Sequence, residues 1–262
     1  MRKQITRDKL GGTNFSKELV ETARPIISRT IKTFLSDRSL EWTRESFCNI
    51  GKSHEVYIKH IFYGFTDLRE SLDKLEQNVT FFSLKTIPLF YKKNGISEID
   101  YYKYHLENHY IKITSIIDFI AKFINDVFRL GTPLKKCSVY LIFDNLNTKD
   151  TKPAKALKRF NTHFSELKAH RNIIIHRGNY SNESIARLDS KLITIEVKDE
   201  VDKMVAIAFK KEKNEELKKI VNKMKKDNED VSNFLFDIFE GLTPFFIIHR
   251  DFLLDLNKNN EK

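Results

Sequence analysis

Cysteine is nearly missing from this chain: two residues in 262, Cys48 and Cys137, with no second cysteine close to either. That excludes a disulfide framework and a CxxC metal knuckle, and it implies a reducing compartment. Glycine (8) and proline (5) are scarce as well, which argues against a β-sandwich or barrel with its many chain reversals. Long apolar runs are also lacking. The most apolar stretches, 113–128 and 245–256, are interrupted by Asp118, Lys122, Asp126, Arg250 and Asp251, so no membrane-spanning helix is expected. The basic start leads into Asp8, Lys9 and Gly11-Gly12 and not into an apolar segment, so it does not read as a secretory signal. No glycine-rich phosphate loop, Ser-His-Asp order or paired-carboxylate motif stands out, which disfavours phosphoryl transfer from a nucleoside triphosphate. A soluble, cytoplasmic protein with no cofactor and no membrane partner is expected.

What remains is charge and helical periodicity. Charged residues make up 31% of the chain and apolar ones 40%, a balance that excludes a disordered chain and fits an all-α protein. The formal net charge is +10, which favours polyanionic partners. Its distribution says more. Between Lys149 and Arg177 lie eight cations and two acids, a net +6, so over half of the excess is concentrated in one short stretch.

The helical pattern divides the chain into a loose tail over 1–15, an N-terminal helical extension over 16–96 and a helical domain over 97–262. Apolar residues at three- and four-residue steps predict helices over 17–36 and 53–76, with Ser53 as N-cap of the second and Pro25 kinking or restarting the first. Trp42, Phe47 and Cys48 read as part of a short helix or turn, and 80–92 as another, ended near Asn94-Gly95. Ser97 caps a long helix whose seam runs Tyr102, Leu106, His109, Ile113, Ile116, Ile120, Phe123, Val127 and Leu130, before Gly131 and Pro133 end it. Residues 137–146 read as a short buried helix, with a strand as the alternative. Residues 191–197 permit a short strand. Residues 210–226 read as a solvated Lys/Glu helix with i,i+4 pairs, and 231–256 as an apolar helix bent at Pro244.

The chemistry is concentrated in a helix predicted from Pro153 to about Arg177 and ended by Gly178-Asn179. Leu157, Phe160, Phe164, Leu167, residue 171 and Ile174 form a three-four seam, and only Arg171 breaks its apolar character. A guanidinium facing a core needs an anionic partner. Beside the seam, Asn161, Ser165, Lys168, Asn172 and His176 form a polar ribbon. Arg171 and His176 are about 140° apart around the axis, so one copy cannot clamp a ligand tightly between them. Two such helices face to face in a homodimer would line one composite cleft, with the seam residues as the dimer core.

The string from Glu166 to Gly178, ELKAHRNIIIHRG, resembles the signature of the HEPN superfamily: an Arg, a polar residue next to it, and a His after a short gap, on a late helix of a small α-helical bundle. Here the motif reads R-x4-H, with Arg171, Asn172 and His176 on the marked positions. The likeness covers roughly 97–180 and, less surely, the closing helices. The resemblance implies a HEPN-like helical bundle acting as a metal-independent endoribonuclease and homodimer, in a toxin-antitoxin or antiviral defence setting with an antitoxin or defence-system partner. His176 would move protons at neutral pH. Arg171 would hold the scissile phosphate and stabilise the charge that develops on it, and Asn172 would position the phosphate or the imidazole. Lys155, Lys158, Arg159, Lys168, His170 and Arg177 would gather the RNA backbone.

Duller readings stay open beside this one. Arg171 can pair with a buried carboxylate such as Asp118, Asp126 or Glu166, and His176 can be a helix-end histidine favoured by the dipole. The same fold can serve as a non-catalytic RNA- or nucleotide-binding module, or as a subunit of a defence complex. His105 and His109 have the spacing of a two-histidine metal edge, but HLENH is not HExxH and no third ligand is evident, so no metal is assigned.

Overall fold

The computed structural model describes residues 9–84, 87–177, 182–196 and 203–259, and no strand occurs among them. The helices are α1 (Asn14–Ser36), α2 (Arg44–Asn49), α3 (Ser53–Phe82), α4 (Leu89–Lys93), α5 (Glu98–Val127), α6 (Val139–Asp144), α7 (Lys152–His163), α8 (Ser165–Arg177), α9 (Glu183–Glu196) and α10 (Lys203–Asn259). They fall into two compact units. Unit 1 takes Met1–Leu72, Ile116–His163 and Val231–Lys262, and unit 2 takes Asp73–Ser115 and Phe164–Asp230. The division does not coincide with a boundary at 96/97.

Unit 1 is built on phenylalanine. The Phe15 ring lies 5.2–6.1 Å from those of Phe65, Phe123, Phe239 and Phe246, and all five side chains are at most 2% exposed. Such rings dominate core energetics through buried area and edge or offset contacts. Of residues 9–15, expected within the loose tail, Leu10, Thr13 and Phe15 are fully buried while the others are exposed. The start of α7 sits against α10 at Gly241, where an added Cβ would come within 3.0 Å of the Pro153 ring. The absence of a side chain there lets the two helices approach.

Unit 2 is tied by polar pairs around its apolar seam. The Tyr101 and Tyr102 hydroxyls donate to the carbonyls of Phe81 (3.1 Å) and Leu84 (2.9 Å). Lys213 of α10 pairs with Glu98 of α5 at 2.7 Å. Arg187 and Lys191 of α9 pair with Glu216 and Glu212 of α10 at 3.2 and 2.7 Å. The acids of the Lys/Glu stretch thus dock neighbouring helices as well as pairing along their own.

Several boundaries differ from expectation, each for a local reason. α1 runs through Pro25 without a restart. α3 begins at Ser53 itself: the Val56 N–H bonds to the Lys52 carbonyl, and the Glu55 carboxylate accepts from the Lys52 N–H, so Lys52 takes the cap position. α3 reaches Phe82, which leaves only Leu89–Lys93 helical from the segment expected over 80–92. Ser97 does cap α5, its Oγ accepting from the Asp100 N–H at 3.0 Å. α5 ends before Gly131, because Arg129 adopts a left-handed conformation (φ 52°) and the Leu130 and Arg129 amides bond back to Asn125 and Asp126, a Schellman closure. Residues 139–144 are helical with Ser138 as cap. Residues 191–196 continue α9 and form no strand, and Val197 lies outside the described residues.

The expected helices over 210–226 and 231–256 are one helix, α10, continuous through Pro244. By length and composition α10 also meets the test for a membrane span, with an eighteen-residue window of mean hydropathy 1.4, contrary to the expectation that none would. That window is 44% buried. Leu235, Ile238, Phe239, Leu242 and Phe246 of this helix are fully buried, as in the core helix of a globular unit.

Candidate active site on α8

The seam that predicts one helix from Pro153 to Arg177 is interrupted at Phe164. α7 ends at His163, and α8 starts when the Lys168 N–H bonds to the Phe164 carbonyl at 3.2 Å. Glu166 lies in the first turn of α8, where a carboxylate is favoured by the helix dipole. Phe164 and Leu167, 3% and 6% exposed, anchor the helix in unit 2. Beyond Leu167 its burial relaxes.

Arg171, Ile173 and Ile174 are half-buried, Asn172 and His176 exposed, and Ile175 is 51% exposed. Arg171 therefore sits at the margin of the core, where the periodicity had placed it facing inward. Asn172 and His176 are four residues apart and share one face of α8, with Arg171 on the flank. The polar ribbon survives only as Ser165, Lys168, Asn172 and His176, because Asn161 lies on α7, beyond the interruption. Of the seam residues, Leu157 and Phe160, which belong to unit 1, and Phe164 and Leu167, which belong to unit 2, are buried in the single chain.

The expected backbone-binding cations are divided. Lys155, Lys158 and Arg159 lie exposed on α7 in unit 1, with Arg159 65% exposed and paired to Asp237 at 3.1 Å. Lys168 and His170, both half-buried, lie on α8 in unit 2. Arg177 closes α8. The His170 ring packs 5.5 Å from Tyr110 of α5. Burial holds its imidazole below the ordinary value, Lys223 pushes the same way and Glu166 opposes.

His105 and His109 do not form a metal edge. His105 packs against Tyr101 and Phe81, whereas His109 is fully buried and faces Asp227 of α10 at 3.6 Å. Among the described residues no group of three or more His, Cys, Asp or Glu side chains could hold a metal ion. The His109–Asp227 contact has no local signature, since its members are far apart in the chain. The spacing placed His109 in the seam and left its partner unseen.

The described residues are helical and contain no strand, and comparison with family models gives the class. The model of the Cthe2314-like HEPN family matches residues 64–208, more than half of the chain, and the chain belongs to the HEPN superfamily. The match begins within α3, well before the 97 at which the motif-based resemblance starts. No curated protein and no solved structure matches the chain.

Proposed function

We infer that this HEPN protein is a metal-independent endoribonuclease of the cytoplasm, acting as a homodimer in a toxin-antitoxin or antiviral defence system. Membership of the superfamily is compatible with RNA cleavage and with nucleotide binding. The observation that carries the nuclease reading is the placement of Asn172 and His176 on one exposed face of α8 with Arg171 half-buried at their flank. Asn172 and His176 are exposed to an incoming polyanion, and Arg171 is exposed in part, with its Nε buried.

In this reading the 2′-OH next to the scissile phosphate attacks phosphorus and the P–O5′ bond breaks, leaving a 2′,3′-cyclic phosphate and a 5′-OH. His176 transfers a proton in that exchange. Arg171 donates paired N–H groups to the phosphate oxygens as their charge rises. Asn172 orients the phosphate or the imidazole. Because Arg171 and His176 diverge by about 140° on one helix, a second copy completes the cleft. The exposed Ile175, beside the motif, is apolar surface that such a partner would cover.

That divergence also favours a second reading, a non-catalytic RNA- or nucleotide-binding module within a larger defence complex. Incubation of the purified protein with RNA in EDTA separates the two. The nuclease reading expects fragments with cyclic-phosphate and 5′-OH ends, and a single 2′-deoxy substitution at the cut abolishes that cut. Salt-sensitive binding without cleavage across a broad RNA panel supports the binding module.

A further inference from the structure

Two neighbouring residues of α5 reach two different helices of unit 2. His109 is 0% exposed, and its Nε2 lies 3.6 Å from Oδ2 of Asp227 on α10, itself 9% exposed. Tyr110, 3% exposed, packs its ring 5.5 Å from His170 of α8, the residue before Arg171. Successive helical residues point about 100° apart, so α5 meets α10 with one side chain and α8 with the next. An imidazole and a carboxylate are costly occupants of a seam otherwise filled by aliphatic and aromatic side chains. A buried pair of this kind is weak evidence for stability in itself, and its best-attested use is to specify register.

We propose that His109 and Asp227 are positioning residues: they set the register of α5 against α10 and, through Tyr110 and His170, the placement of the helix that carries Arg171, Asn172 and His176. The proposal rests on reading that motif as an RNA-cleaving site. Asp227 and Lys223 of α10 act on His109, and Lys223 of α10 and Glu166 of α8 act on His170. Burial keeps the His109 imidazole below its ordinary value against the pull of Asp227, so at neutral pH an uncharged ring faces the carboxylate. Neither residue of the pair meets RNA.

The test uses the full chain. Asp227→Asn lowers kcat for RNA cleavage about tenfold with KM within about twofold, because the motif is displaced and not removed. In the same variant, NMR of labelled histidines shows the His170 titration midpoint rising toward the ordinary imidazole value as its packing behind Tyr110 loosens. Tyr110→Leu gives both effects, and Tyr110→Phe, which keeps the ring, gives neither; this pair carries the test if Asp227→Asn does not fold. An unmoved His170 midpoint, or a wild-type kcat, in Asp227→Asn and Tyr110→Leu overturns the proposal. A wild-type chain that cuts no RNA removes the reading of the motif, and the His170 midpoint then decides the joint alone.

Discussion

α7 and α8 follow one another in the chain, share one three-four seam and carry most of the local positive charge, yet they are different kinds of helix. α7 separates its faces: Ala154, Ala156, Leu157 and Phe160 are at most 2% exposed while Lys155, Lys158 and Arg159 face solvent. α8 does not, since after Leu167 its apolar and polar residues are alike half-buried or exposed. Amphipathic segregation is what packing asks of a helix. α8 forgoes it at Arg171, Asn172 and His176, the residues to which the proposed function assigns the reaction.

The first way to sharpen this contrast is by truncation. Phe160 is fully buried and stacks on Phe234 with centroids 5.2 Å apart, so Phe160→Ala on α7 costs about 3–5 kcal/mol in urea unfolding. Ile175→Ala on α8, half-exposed in the single chain, costs about 0.5 kcal/mol or less in the unfolding of the monomer. Equal losses at the two positions would erase the distinction between the helices.

A smaller effect comes from pH. Burial lowers the imidazole pKa of His105, His109 and His170 in unit 2 and of His249 in unit 1. Between each lowered value and about 6.5, the unfolded chain binds more protons than the folded one. Stability is therefore full above about pH 6.5 and falls as the pH drops through the folded values. Thermal unfolding between about pH 7.5 and 5.5 measures it, and His109→Asn flattens the dependence. A melting temperature that rises on acidification contradicts the assignment. The smallest effect is on the outer face of α7, where Arg159–Asp237 is an exposed pair. A double-mutant cycle there gives about 0–1 kcal/mol, shrinking in high salt.

Much of this was legible because it is local. The long seam of α5 and its Ser97 cap follow from spacing and cap chemistry, and the superfamily follows from one short string around Arg171. The interruption at Phe164 was illegible because the three-four period of apolar residues continues straight through it. Of the kink or restart read at Pro25 and the bend read at Pro244, the restart does not occur, and α1 and α10 are each continuous through their proline. His109 could be placed in a buried seam, but not its carboxylate. Asp227 falls just past the stretch over 210–226 that reads as a solvated face, and its contact with His109 of α5 is made only in the folded chain.

In the proposed function the exposed face of α8 is a reaction site and not a packing face. It is tested most directly by comparing wild-type protein with Arg171→Ala and His176→Ala for RNA cleavage in EDTA, with the unfolding free energy of each measured in parallel. The account predicts cleavage reduced at least about 100-fold in both variants with stability within about 1 kcal/mol of wild type. Full cleavage in both variants, or loss of cleavage only in step with loss of the fold, would contradict it.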